Sequence, residues 1–174
     1  MTKDILEISE EMTINEIEHK DMVTLDNLKA GNIGPIITIK APKGKMIEIA
    51  GIDKEDNINA HALRTRIADK DDNAIDFYTE IIITHEKRDD TVQIAKLFYY
   101  DICMVKDATL YEDINLTKKI VMYRHKSYSE WYRFKNTITL EEGDKLVISA
   151  IKPNIDIEKI KLALDARVVT IRKK

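Results

Sequence analysis

The sequence predicts an all-β protein: a jelly-roll-like antiparallel β-sandwich of about eight to ten strands, with a short N-terminal helical or extended arm. Apolar and polar residues alternate on both sides of an acidic glycine turn within residues 137–150. The same alternation returns in residues 160–171. A period of two turns one face of a strand toward a core and the other toward water. Short β-branched runs bounded by Gly, Pro and polar clusters fill much of the remaining chain, as in sandwiches and barrels.

The acidic glycine turn is the strongest local signal. Residues 137–140 lead into Glu141-Glu142-Gly143-Asp144, and residues 145–150 lead out. A tight reversal needs a residue with positive φ, which Gly143 supplies. The pattern predicts a β-hairpin over residues 137–150.

Other strands are predicted by runs rich in Ile, Val, Thr, Tyr and Phe. In chain order these are residues 36–40, 46–49, 61–68, 77–84, 92–105, 119–123 and 130–134. Residues 92–105 are long enough for two strands or for one strand bent by a bulge. In residues 61–68, Leu63, Thr65 and Ile67 share one face, which predicts a packed side opposite a wet one. The apolar phase of the last strand changes near Val168, which predicts a bulge or a crossing between sheets.

The first 30 residues differ from the rest in charge, with eight acids and three bases. Ile5, Ile8 and Met12 fall at helical spacing, which predicts one or two short helical turns. Gly31, Gly34 and Pro35 then interrupt the pattern. We therefore predict two parts, an acidic arm over residues 1–34 and a β-sandwich domain over residues 35–174.

Composition excludes several classes of function. The formal net charge of −3 does not provide the basic surface that binding to a phosphate backbone needs, so no nucleic-acid partner is expected. Cys103 is the only cysteine, and its apolar surroundings predict a small buried residue without an intrachain disulfide. We expect neither a signal peptide nor a membrane-spanning segment, since no apolar run has the required length.

One acidic loop partly resembles a calcium-binding loop. Residues 69–73 and Glu80 place oxygen ligands at several of the expected positions. Ala74 stands where the loop needs glycine, and Asp76 stands where an apolar residue is usual. The sequence favours a solvated hairpin loop.

The histidines show no spacing typical of metal ligands. His19, His61, His85 and His125 are scattered, without an HxH or HExxH pattern. His85 and Glu86 would point to opposite sides of a strand, so we interpret them as exposed turn residues rather than an acid/base pair. No glycine-rich phosphate loop precedes a helix. We expect no enzyme activity, no metal and no cofactor.

An aromatic and basic group is the best candidate for an interaction surface. Its main members are Tyr128, Trp131, Tyr132 and Arg133. Trp, Tyr and Arg dominate interface hot spots. The alternative is that half of these rings fill the core, as strand geometry requires.

Two segments resemble a pattern found in virion structural proteins. Residues 42–52, P-K-G-K-M-I-E-I-A-G-I, resemble a turn, a strand and a G-I exit. Residues 140–150, L-E-E-G-D-K-L-V-I-S-A, resemble the L-x-x-G-D-x-L-x-I-x-A hairpin. Both are similar to segments of β-sandwich capsid decoration, head-fibre and minor virion structural proteins of tailed viruses of bacteria and archaea.

The resemblance implies a mechanical role in a virion that is assembled in the host cytoplasm. The expected partners are other copies of the chain, as a homo-oligomer that could be a trimer, and capsid or tail proteins; no membrane partner is expected. The arm would grip a neighbouring subunit by strand addition or an amphipathic turn, with Ile5, Ile8 and Met12 as contacts.

Two other functions and two other folds stay open. A carbohydrate-binding module would use the aromatics around Trp131 as a sugar platform and residues 69–73 as a calcium site. An enzyme on a sandwich scaffold, such as a cupin, would need clustered His and carboxylate ligands. A Greek-key barrel and an α+β domain are the alternative folds.

Overall fold

The computed structural model describes residues 4–15, 21–53, 63–105, 128–129 and 132–173. Nearly all regular structure in these ranges is β, with one 3-10 turn at Tyr99–Asp101. The strands in chain order are β1 (Asp4–Asn15), β2 (Val23–Leu25), β3 (Ile33–Lys40), β4 (Lys45–Ile49), β5 (Leu63–Ala68), β6 (Glu80–Lys87), β7 (Asp90–Phe98), β8 (Met104–Val105), β9 (Tyr128–Ser129), β10 (Ile138–Leu140), β11 (Lys145–Ile151) and β12 (Lys159–Lys173).

The strands form two five-stranded antiparallel sheets and one small pair. Sheet A has the order β1-β12-β4-β10, and β5 pairs with the first part of β12. Sheet B has the order β2-β3-β11-β6-β7, while β8 pairs with β9. The chain changes sheet repeatedly, so neighbours in sequence are often in different layers. The predicted all-β antiparallel sandwich is confirmed.

One hydrophobic core lies between the two sheets. Sheet A contributes Ile47 and Ile49, and sheet B contributes Ile81, Ile83 and Ile148; all five are fully buried. Burial of such a side chain stabilises the fold by about 1.5–3 kcal/mol. The alternation within each strand therefore decides which face it turns to the core.

The predicted hairpin over residues 137–150 is wrong. β10 pairs with β4 in sheet A, and β11 pairs with β3 and β6 in sheet B. Residues 141–144 form an arch that carries the chain from one sheet to the other. Gly143 does have the predicted positive φ, at 86°. Two alternating runs around a turn are compatible with a hairpin and with an arch, because both arrangements bury one face of each strand.

The predicted helical turns in the arm are also wrong. Residues 4–15 form a strand, β1, which pairs antiparallel with β12 from Asp4 opposite Lys173 to Asn15 opposite Ala163. Pairing with a long strand decides the conformation where local periodicity is weak. The extended alternative is the one observed, and the division at residues 34/35 stays a prediction.

The irregularity expected near Val168 is present in the pairing of β12. The register with β1 shifts between Ile8 and Glu10, which lie opposite Val169 and Val168. The extra residue is Ser9, so the bulge lies on β1 rather than on β12. Both valines are buried, in agreement with a change of apolar phase at this point.

Several predicted strands are confirmed with shifted bounds. Residues 92–105 divide into two strands, and the strand expected from residue 77 begins at Glu80. Leu63, Thr65 and Ile67 are fully buried on the packed face of β5, although Ala68 is buried too. The run 119–123 and Trp131 lie outside the described residues. In the described ranges, no helix has the length and apolar character needed to cross a bilayer.

Gly51 brings the end of β4 against the segment before β10. A Cβ atom at this position would lie 2.2 Å from the carbonyl carbon of Asn136, so only glycine fits. The Ile52 N–H donates to the Phe134 carbonyl at 2.9 Å. Thr137 is fixed beside them, because its N–H and hydroxyl both donate to Asp53 Oδ1, at 2.8 and 2.9 Å.

Candidate functional site

The outer face of sheet B carries an apolar row that crosses four strands. Ile33 lies opposite Ile151, Ile151 opposite Glu80, and Glu80 opposite Phe98. Residues directly opposite in antiparallel strands point to the same side. The adjacent register position, with Ala150, faces the core. These four residues, which we call the outer row, therefore face away from the core.

The outer row is largely open to solvent. Ile33 is 62% exposed and Phe98 is 44% exposed. Ile151 and Glu80 are half-buried. The one charged member, Glu80, has its carboxylate 3.7 Å from the ammonium of Lys96 on the neighbouring strand. The row is thus an apolar strip whose acidic group has a cation beside it.

An aromatic cluster extends the outer row at Phe98. Tyr78 is 76% exposed and packs edge to face on Phe98, with ring centroids 6.1 Å apart. Tyr100 packs edge to face on Phe77 at 5.8 Å, and Phe77 stacks on buried Tyr99 at 6.2 Å. Pairs of this geometry contribute about 0.5–1.5 kcal/mol beyond their buried area.

Buried Tyr99 anchors the cluster in the core. Its hydroxyl accepts a hydrogen bond from the Ile67 N–H at 3.2 Å and lies 3.5 Å from the Thr65 carbonyl. Burial raises the pKa of Tyr99 to about 12, and the bond from Ile67 partly opposes this rise. The phenol therefore stays neutral at ordinary pH.

Hydrogen bonds also fix the backbone that presents the exposed rings. The Tyr78 N–H donates to Asp76 Oδ1 at 3.0 Å, and the Phe98 N–H donates to Asp101 Oδ2 at 3.0 Å. The Tyr100 N–H donates to the Phe77 carbonyl at 2.9 Å. Aromatic side chains on a pre-organised backbone lose little entropy on binding, which favours a contact surface.

The interface residues predicted in the arm lie along one edge of sheet A. Ile5, Ile8 and Met12 are on β1, opposite Arg172, Val169 and Ala166 of the same chain. They do not form a helical stripe, because β1 is a strand with a bulge at Ser9. Their role as contacts stays a prediction.

Three residues of the predicted aromatic and basic group lie in the part of the chain that the structure describes. Tyr128 lies on β9 opposite Val105, and Arg133 is exposed. Tyr132 is half-buried, exchanges backbone hydrogen bonds with Leu63, and packs edge to face on buried Phe134 at 5.0 Å. Burial raises the pKa of Tyr132, and the charge of Asp101 raises it further.

The described chain also contains a cavity of about 650 Å³ between the sheets. Its walls come from β6 and β7 of sheet B and from residues 132–141, which lead into and follow β10 of sheet A. His85 and Asp144 are among its lining residues, with His85 Nε2 3.1 Å from Asp144 Oδ2. Our interpretation of His85 as an exposed turn residue is therefore wrong. It sits within β6, where position 85 faces inward.

Two carboxylates of the acidic loop over residues 69–73 bond to the loop itself or to the neighbouring strand β5. Asp69 Oδ1 accepts the N–H groups of Asp71 and Asn73 at 2.9 and 2.8 Å, which lowers the pKa of Asp69. Asp72 pairs with Arg66 at 3.2 Å, and that contact lowers the pKa of Asp72. These bonds give the hairpin loop that the sequence favours. In the described part of the chain, no three His, Cys, Asp or Glu side chains are grouped to hold a metal ion.

Comparisons with known proteins identify the fold. No protein-family model and no curated protein sequence matches the chain. Its structure is similar to that of VP17, a capsid protein of bacteriophage P23-77, with a TM-score of 0.55 and 7% identity over 97% of this chain and 99% of VP17. The chain shares the fold of a bacteriophage capsid protein. The predicted resemblance to β-sandwich virion proteins is confirmed at the level of fold.

A second structure agrees. The complex of VP16 and VP17, the two major capsid proteins of bacteriophage P23-77, matches with a TM-score of 0.51 and 8% identity. The match covers 99% of this chain and 100% of the matched chain. At such low identity the likeness concerns the fold, and individual residues cannot be transferred from it.

The outer row was not predicted from the sequence. Ile33, Glu80, Phe98 and Ile151 are far apart in the chain and share no motif. Only the register of β3, β11, β6 and β7 aligns them. The one available signal was Phe98 followed by Tyr99 and Tyr100, since at least one of three adjacent aromatics in a strand end must face outward.

Proposed function

We propose that this protein is a non-enzymatic structural subunit of a virus particle, and that its copies associate through the outer row of sheet B. The observation that carries the proposal is an exposed apolar strip on a five-stranded sheet. Large exposed apolar patches on soluble domains mark interaction surfaces. The capsid-protein fold supports the virion as the place where that interaction is used.

The balance of charge favours a second copy as the partner. Lys96 lies beside Glu80, so the strip brings little net charge to a contact with an identical strip. Ile33, Phe98 and Tyr78 can meet the same residues of another copy, as a two-fold contact requires. Aromatic side chains are enriched at the centre of such interfaces.

The edges of the sheets favour face docking over strand addition. The outer strand of sheet B, β7, has an extra residue at Ile94 in its pairing with β6, and it carries Lys96. On sheet A, the edge strand β1 has its bulge at Ser9 and the edge strand β10 has three residues, while β2, the other edge strand of sheet B, also has three residues. Bulges, lysines and short strands are devices that block edge pairing.

The proposed role is that of a capsid subunit. The sequence predicted a decoration or minor structural protein that forms a homo-oligomer, with a trimer as one form that it could take. The structural neighbours are major capsid proteins, one of them in a complex of two such proteins. We therefore also propose contact with a second type of capsid protein.

Sedimentation velocity over a range of protein concentrations tests this proposal. We expect the wild type to form oligomers, and Phe98→Ser to raise their dissociation constant at least tenfold, since a central aromatic contributes about 2 kcal/mol or more. Val92→Ser is the matched control. Val92 is 39% exposed on the same strand, about 20 Å from Phe98 along β7.

Two results would contradict the proposal. A wild-type protein that stays monomeric at every concentration would contradict the proposed self-association. Equal weakening by Phe98→Ser and Val92→Ser would show that the outer row has no special part in it.

A further inference from the structure

The cavity between the sheets holds a hydrogen-bonding group that the fold does not use. His85 lines the cavity, and its side chain is 9% exposed. Nε2 lies against Asp144 Oδ2 at 3.1 Å. In the described part of the chain, Nδ1 has no hydrogen-bond partner. A polar atom in this position calls for a partner from a ligand or from water.

The contact with Asp144 determines which nitrogen of His85 carries a hydrogen. Asp144 Oδ2 already accepts the Glu141 N–H at 3.1 Å, so this oxygen acts as an acceptor. An ionised carboxylate can only accept, and Nε2 must therefore carry the hydrogen. Nδ1 accepts a hydrogen bond when the imidazole is neutral and donates one when both ring nitrogens carry hydrogen. A ligand hydroxyl can both donate and accept, so it can pair with Nδ1 in either state.

The walls of the cavity combine apolar and polar groups. Tyr132 and Phe134 supply aromatic surface, with their rings packed edge to face. Gln93, Asn136 and Thr139 supply amide and hydroxyl groups, which can both donate and accept. Ligand sites typically have a largely apolar lining with a few polar groups that fix orientation.

The charges around the cavity balance. Lys87 and Lys135 contribute two ammonium groups, and Glu141 and Asp144 contribute two carboxylates. A strongly anionic or cationic ligand would meet a like charge as often as an opposite one. The balance favours an uncharged ligand.

We propose that this cavity binds a neutral sugar ring. A hexose has apolar C–H faces that can lie on the aromatic wall, and hydroxyl groups that can pair with His85 Nδ1 and with the amides. The volume of about 650 Å³ lies within the range of about 300–1,000 Å³ usual for small-molecule pockets. The site goes beyond assembly, and it uses neither the outer row nor the predicted calcium loop.

Saturation-transfer NMR with glucose, galactose, mannose and N-acetylglucosamine tests the proposal, followed by calorimetry on any sugar that binds. We expect at least one of them to bind, and His85→Gln to weaken binding at least tenfold. The glutamine amide can keep a donor toward Asp144 while it removes the second ring nitrogen, Nδ1. Glu142→Gln is the control, because Glu142 is exposed and does not line the cavity.

Folding of each variant is checked by its denaturation curve. If His85→Gln does not fold, Gln93→Ala and Asn136→Ala replace it, since both positions are on the wall and Asn136 is exposed. The proposal is overturned if none of the four sugars gives a signal, or if binding is the same in the cavity variants and the control. The oligomeric state is measured on the same samples, so failure of this site is distinguishable from failure of assembly.

Discussion

His85 Nε2 lies 3.1 Å from Asp144 Oδ2, and this contact joins β6 of sheet B to the arch that leaves sheet A. Two backbone hydrogen bonds also hold the arch. The Asp144 N–H donates to the Glu141 carbonyl at 2.8 Å, and the Gly143 N–H donates to the carbonyl of Ala41, in the loop after β3, at 2.9 Å. A buried acid and a buried imidazole thus hold the crossing between the two layers.

Loss of the Asp144 carboxylate should destabilise the fold. In Asp144→Ala, the imidazole N–H of His85 and the backbone N–H of Glu141 lose their acceptor in a buried place. We expect the free energy of unfolding to fall by about 2–4 kcal/mol. Urea denaturation measures it, with Glu142→Ala as an exposed control that should change it by less than about 0.5 kcal/mol. Equal effects at the two positions would contradict the role of the contact.

Two glycines of the chain should respond differently to alanine. Gly51→Ala places a Cβ 2.2 Å from a backbone carbon of Asn136, so β4 and the segment before β10 must separate. We expect a loss of about 3 kcal/mol or more. Gly143→Ala meets no atom within 4 Å and has only its positive φ against it, which costs about 1 kcal/mol. Thermal unfolding that ranks Gly143→Ala as the more damaging change would disprove the close contact.

Burial of Tyr99 should make stability depend on alkaline pH. Its pKa is raised to about 12 in the fold, against about 10 in an unfolded chain. The free energy of unfolding therefore has its full value below pH 10 and falls as pH rises toward 12. At pH 11 the loss is about 1.4 kcal/mol. Tyr99→Phe should be less stable at pH 8, because the Ile67 N–H loses its acceptor, but should lose less between pH 8 and 11. Parallel losses in both proteins would argue against a buried phenol.

Truncation tests the predicted division at residues 34/35. Deletion of residues 1–20 removes β1 and exposes one edge of β12, but it leaves every core residue of sheet B. We expect this variant to fold and to lose part of its stability. Deletion of residues 1–34 also removes buried Met22 and Val23, so it should lower the free energy of unfolding further. Circular dichroism and denaturation of both variants decide between an arm and an integral part of the sandwich.

The sequence predicted strands correctly where one face of the strand is buried and the other is not. Period-two alternation located β5, β11 and β12, and the positive φ at Gly143 followed from its place in a turn. Alternation could not show whether β10 and β11 share a sheet, because the two arrangements bury the same side chains. The pairing partner of each strand is a long-range property that local patterns do not contain.

The candidate sites were harder to predict for the same reason. Ile33 and Phe98 face outward together only through the register of four strands. His85 was assigned to an exposed turn because the predicted strand ended at residue 84, yet β6 continues to Lys87 and turns His85 inward. Tyr132 was predicted to lie on an interaction surface, and in the structure it lines the cavity together with Phe134.

Photo-cross-linking from position 98 tests the central claim most directly. A photoreactive phenylalanine analogue in place of Phe98 would react with whatever lies on the outer row in the assembled protein, and mass spectrometry would locate the product. We expect intersubunit links to Ile33, Tyr78 or Phe98 of a second copy. Links only within one chain, or intersubunit links that fall only on other faces of the sandwich, would contradict assembly through sheet B.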